Sequence, residues 1–173
     1  MSAPALIPLE QLEHATEEEL ATYLAHLQQL TEPRDPAGWN LTRAQLRFDL
    51  AADRAFETLV GGAAGGGKSE WLLWRAYQMS VRYPGHQTIM FRRTYPELLA
   101  SLIERSLQRF DQKLARYKSG EHVWVFRNGS KIRFSHMERA IDRYSFQSTE
   151  WDLICWDELT HFDKSMYTSP SGP

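Results

Sequence analysis

Residues 61–74, GGAAGGGKSEWLLW, hold five glycines in seven positions and then run without a break into an apolar segment. Glycine costs backbone entropy, so such a cluster requires either positive φ or the close approach of another group to the main chain. A phosphate is such a group. Residues 62–69 fit G-x-x-x-x-G-K-[ST], in which loop N–H groups surround phosphate oxygens and the next helix directs its positive end at them. The pattern assigns Gly62, Gly65, Gly66 and Gly67 to the cradle. Lys68 reaches for the β- and γ-phosphates, and Ser69 for Mg²⁺.

A phosphate loop of this kind leaves a strand and enters a helix. Residues 56–60 (FETLV) are apolar and β-favouring, and supply the expected strand. Residues 70–83 lack Gly and Pro and carry Trp71, Leu72, Trp74, Ala76 and Met79, which predicts the helix. The alternative is a plain glycine-rich turn.

Upstream, Thr16 and Glu19 are spaced as a capping box before Leu20, Tyr23, Leu24, Leu27 and Leu30, so residues 9–30 read as a helix. Two prolines and a glycine in TEPRDPAGWN then mark a linker and a boundary, giving a helical segment 1–38 and a main domain 39–173. Residues 41–56 read as a second helix with Thr42 as N-cap. Its Gln45 offers an amide that pairs with an adenine edge, or is simply an exposed helical glutamine.

Past the glycine loop, Thr88 to Phe91 form a short apolar strand, followed by Arg92 and Arg93 and by Pro96 placed to start a helix. Leu98, Leu99, Leu102, Ile103, Leu107, Phe110 and Leu114 make a stripe at helical spacing and predict one continuous core-facing helix. HVWVFRNGSKIRF has two β-rich runs around Asn128-Gly129 and predicts a hairpin with a type I′ turn. That hairpin is structural, or else it presents Arg127, Lys131 and Arg133 to nucleic acid.

In WDLICWDELTHF, Leu153, Ile154, Cys155 and Trp156 read as a buried strand that ends in Asp157 and Glu158. Two carboxylates closing an apolar strand are costly unless they bind something. Opposite a phosphate loop, Asp157 suits Mg²⁺ held through water, and Glu158 suits the base that deprotonates an attacking water. A solvated strand end is the alternative.

At 173 residues and 42% hydrophobic content the chain suits one folded domain. Its single cysteine, Cys155, excludes an internal disulfide and reads as packing, and no secretory or membrane-spanning stretch stands out, so a soluble, intracellular protein is expected. No His or Cys/His spacing fits zinc, and no G-x-S-x-G or Cys/His nucleophile pattern is present. Net charge is −2, but residues 92–143 hold twelve bases against six acids. Such an excess suits a nearby polyanion, or an ordinary solvated surface.

Three blocks in order, LTRAQLRF, GGAAGGGKSEWLLWRAYQ…FRRTYPEL and DRYSFQSTEWDLICWDELTHF, resemble the ATPase half of tailed-phage and prophage terminase large subunits, over residues 41–167. The resemblance implies an ASCE-type P-loop NTPase, a three-layer α/β/α fold with a mostly parallel sheet, here with an inserted β-hairpin. It implies an ATP- and Mg²⁺-dependent motor that moves double-stranded DNA, working as a homo-oligomeric ring with a portal protein and a terminase small subunit in the host cytoplasm, without a membrane. It matches Gln45 to adenine reading, Gly62, Gly67, Lys68 and Ser69 to the P-loop, and Asp157 and Glu158 to the Walker B pair. Arg92 or Arg93 matches a basic pair that serves γ-phosphate or DNA.

Ala63 and Ala64 stand where many terminases carry a loop arginine, so that cation is expected from elsewhere or from a neighbouring subunit. The resemblance also implies a further strand after Walker B, inserted between the Walker strands, and then a nuclease domain. Its pattern therefore makes this chain an incomplete ATPase domain, marginally stable and weak in ATP binding. Rival readings are a prophage remnant that binds nucleotide or a partner without turnover and a helicase-like DNA-dependent ATPase. A small-molecule kinase fits least, since it has no clear use for Glu158.

Overall fold

The computed structural model describes residues 16–18, 39–62, 65, 67–146 and 149–167. The chain divides into two compact units, Met1–Trp71 and Leu72–Pro173. Most of the expected helix 9–30 and the linker 31–38 lie outside the described residues, although Glu17 and Glu18 are helical and Glu17 ion-pairs with Arg43.

In the first unit, α1 (Arg43–Ala52) starts where the sequence places its cap. Thr42 Oγ1 accepts from the Gln45 N–H, and Gln45 Oε1 accepts from the Thr42 N–H, a reciprocal capping box. Leu46 and Leu50 are buried, and Phe48 meets Trp71 edge-on at 5.7 Å. The expected strand at residues 56–60 does not form: Phe56 is 93% and Leu59 79% exposed. β-propensity is largely a fit to neighbouring strands, and without one FETLV has no ladder to join.

The glycine loop leads into α2 (Lys68–Arg82), as predicted. In the second unit, a five-stranded mixed sheet has the order β2-β3-β4-β1-β5. Its strands are β1 (Gln87–Arg92), β2 (Ala115–Lys118), β3 (Val123–Phe126), β4 (Lys131–His136) and β5 (Leu153–Trp156). β1 runs parallel to both β4 and β5, while β2, β3 and β4 form an antiparallel meander, so the sheet is mixed rather than mostly parallel.

The meander gains its third strand because the long helix ends early. α3 (Tyr95–Leu98) passes through a π-helical turn, Leu99–Ile103, into α4 (Glu104–Arg109). The wider turn shifts the phase of the apolar stripe, leaving Leu98, Leu102 and Ile103 buried and Leu99 and Leu107 exposed. Phe110 then turns extended, and Asp111 Oδ1 accepts from the Lys113 N–H in an Asx-type turn. Residues 115–118 then become β2.

The hairpin forms with a different turn from the one expected. Gly129 has φ +88 but Asn128 keeps negative φ, which excludes type I′. Asn128 is committed elsewhere: its Nδ2 donates to the Ser80 carbonyl near the end of α2, and its Oδ1 accepts from the Ser130 N–H. Helix-end carbonyls need such partners.

One sheet face packs aromatics: Tyr77 of α2 lies 4.9 Å from Phe110 and 5.8 Å from Phe126, and Trp124 Nε1 donates to Ser106 Oγ of α4. On the other face Ile89 and Phe91 join Met137, Phe162 and Met166, with Trp156 stacked on Phe91 at 4.5 Å. The last two belong to the segment after β5, which ends in α5 (Lys164–Tyr167). No helix among the described residues is long and apolar enough to cross a membrane.

Candidate functional site

The predicted residues fall into two groups, one in each unit. In the first unit, Gly62, Gly65 and Gly67 take φ of +135, +82 and +72. Glycine adopts positive φ without the steric penalty that a Cβ brings. Gly66, Ala63 and Ala64 lie outside the described residues.

Gln45 clamps this loop. Its Nε2 donates to the Gly67 carbonyl at 2.8 Å, and the residue is 4% exposed. A Cβ at position 67 would lie 2.6 Å from that Nε2, so a side chain there would have to displace the Gln45 amide as well as hold a positive φ. The amide has two donor and two acceptor positions, of which Gly67 and Thr42 use one of each. Lys68 starts α2, and its Nζ donates to the Gly62 carbonyl at 3.1 Å, spanning the loop. Ser69 follows in the first turn, where helix N–H groups lack intrahelical acceptors.

In the second unit, parallel pairing of β1 with β5 brings Arg92 and Asp157 together at the ends of neighbouring strands. Arg92 Nε lies 3.0 Å from Asp157 Oδ2, and the Asp157 side chain is only 3% exposed. Arg92 Nε also donates to Ser101 Oγ, which in turn donates to the Glu97 carbonyl in α3. Arg93 points elsewhere, its Nη1 donating to the Met137 carbonyl and to Met166 Sδ. The two arginines are therefore not equivalent: one holds the acidic corner, the other ties down the segment after β5.

Glu158 takes φ 57 and ψ 56, left-handed for a residue with a Cβ, and leads into a short 3₁₀ turn, Leu159–His161. Non-glycine residues in this region carry strain that clusters at functional positions. Cys155, one residue before the acidic pair, is fully buried, and burial pushes its thiol up to about 12. β5 is less buried than its apolar run suggests, with Ile154 50% exposed, because it pairs on one side only.

Among the described residues no three His, Cys, Asp or Glu side chains converge as a metal site. Ser69 in the first unit and Asp157 in the second each carry an oxygen donor of the hard kind that Mg²⁺ takes. Ser101 was not singled out by sequence reasoning; its only signal is a hydroxyl one helical turn after Glu97. No family model, curated protein or solved structure matches the chain.

Proposed function

We propose that the chain is the nucleotide-binding part of a P-loop ATPase, the motor of a terminase-like machine that hydrolyses ATP with Mg²⁺ to move double-stranded DNA. The observation that carries this reading is the glycine loop: three positive-φ glycines feeding a helix that begins with Lys-Ser, clamped by a buried glutamine. In this reading loop and helix N–H groups and Lys68 bind phosphate oxygens. Ser69 and Asp157 are the residues that the sequence pattern and resemblance assign to Mg²⁺, which would neutralise charge on the phosphates when bound. Arg92 orients the Asp157 carboxylate, and Glu158 accepts the proton of the attacking water. A portal protein, a small subunit and a ring of copies remain part of the proposal through the sequence resemblance alone.

A second reading, nucleotide binding without turnover, is favoured by one feature: Asp157 is already committed to Arg92 in a buried ion pair. The test is ATP hydrolysis with Mg²⁺, with and without duplex DNA, beside Lys68→Ala and Glu158→Gln. A general base contributes about 10²–10⁴ in rate, so Glu158→Gln is expected to lose that much turnover while still binding nucleotide. Wild-type binding with no turnover selects the second reading. Turnover that survives Lys68→Ala removes the ATPase proposal.

A further inference from the structure

The register of the β2-β3-β4 meander places four basic side chains on one sheet face. Arg116 faces Val125, which faces Lys131; two residues along, Lys118 faces Val123, which faces Arg133. Directly opposed residues share a face, so these are two ranks of the same form, base, valine, base. Arg116, Lys118 and Lys131 are exposed and Arg133 is half-buried, while Val123 is buried between its two cations. Long basic stems cover apolar surface in this way while the charged heads stay in water.

Strand spacing sets the array at roughly 10 Å across by 7 Å along. Among the described residues Lys118 pairs with Glu121 at 3.2 Å, and Arg116, Lys131 and Arg133 have no acidic partner. The opposite face at these strands carries Tyr117, Trp124 and Ile132 and is packed on α4 through Trp124 and Ser106.

We infer that this face is a docking surface for the phosphate backbone of duplex DNA. The charge array fits a polyanion, and the intervening side chains decide which one. Single-stranded nucleic acid is gripped by stacking on exposed aromatic rings, and these two ranks contain none. Membrane-surface elements carry Trp, Phe or Leu to insert, and here only valines lie between the cations. What remains is sequence-independent contact with phosphates, which positions a duplex without reading its bases. The choice of DNA over other duplex polyanions rests on the motor proposal; the charge geometry does not.

The test is fluorescence-anisotropy titration of the full chain with a labelled 20-mer duplex, without nucleotide, over a salt series. It is repeated with Arg116→Gln/Lys118→Gln/Lys131→Gln/Arg133→Gln. Each lost phosphate contact reduces the slope of log K against log salt by about 0.9, so the quadruple variant is expected to flatten it by up to about 3.6. Arg105→Gln/Lys113→Gln, bases outside the array, should leave the slope intact, and thermal melts check that each variant folds. An unchanged slope in the quadruple variant, no duplex binding by the wild type, equal binding of single strands, or preferential binding of anionic vesicles each overturns the inference. Because nucleotide is absent, these outcomes are separate from those of the turnover test.

Discussion

The glycine loop of the first unit and the Asp157 corner of the second are held in different ways. The loop is secured by two short-range devices, a capping box three residues wide and a lysine reaching back six residues, and by one glutamine that reaches Gly67 from 22 residues upstream. The corner is secured by the sheet, since Arg92 and Asp157 meet only because β1 and β5 run side by side. A site held by several hydrogen bonds tolerates loss of one; a buried charge pair does not. Breaking such a pair leaves an uncompensated charge, whereas replacing both partners removes the problem.

The largest effect is therefore expected at the corner. Asp157→Ala should cost about 3–5 kcal/mol in urea unfolding, and adding Arg92→Met should recover much of it. If the single and double variants were equally unstable, the pair would not be what holds this corner.

A smaller loss is expected in the loop. Gly67→Ala must hold φ +72 and also displace Gln45, whereas Gly65→Ala has φ +82 with nothing within 4 Å of the new Cβ. The left-handed conformation alone costs about 1–2 kcal/mol. Gly67→Ala should therefore exceed Gly65→Ala, and Gln45→Ala should bring the two closer together. Equal losses in the Gln45-intact chain would show that the clamp is not tight.

The scale of these two effects reflects how each was legible. T-x-x-Q before an apolar periodic run specifies α1 and its cap because the interactions span three residues. The strand 56–60 failed for the converse reason: alternation and propensity describe a segment, but a ladder needs a partner. The single helix expected from Pro96 through Leu114 is broken because nothing in leucine spacing announces a π turn, and the Asx turn at Asp111 cuts it short. Asp157 and Glu158 were readable as two acids closing an apolar strand, whereas Arg92 and Arg93 read only as a basic pair for γ-phosphate or DNA, and nothing in the sequence coupled Arg92 to Asp157.

Titration sharpens the comparison further. His86 is buried, and that burial holds its imidazole below the ordinary 6.5, with Asp152 opposing and Arg75 reinforcing the shift. Its Nε2 has no hydrogen-bond acceptor among the described residues. The unfolded chain then binds a proton that the folded chain refuses, so this group's contribution is intact above 6.5 and lost as pH falls below it. Melting temperature should drop on acidification through this range, and His86→Phe should flatten the drop. Identical pH profiles would remove His86 as its source.

The smallest effect is chemical rather than energetic. Cys155 has a thiol pushed up to about 12 from 9.0 by burial, so at neutral pH it should resist iodoacetamide while the sheet is folded and react on unfolding. The same shift makes stability fall as pH rises above 9.0, since only the unfolded thiol then ionises freely. Rapid labelling of the native protein would mean that β5 opens readily.

Sequence alone determined the local devices: the capped α1, the glycine loop and the helix it enters, the apolar β1 and β5, and the hairpin position. Their positions are written in spacing and residue type, although the Gln45 clamp on the loop spans 22 residues and β1 and β5 find their hydrogen-bond partners in each other. Tertiary structure decided the rest. Strand order brought Arg92 to Asp157, the meander's register sorted four cations onto one face, and an α2 carbonyl claimed Asn128 and changed the turn. Each of these joins residues far apart in the chain, and such contacts are settled by packing and backbone hydrogen-bond partnership, which no short pattern encodes.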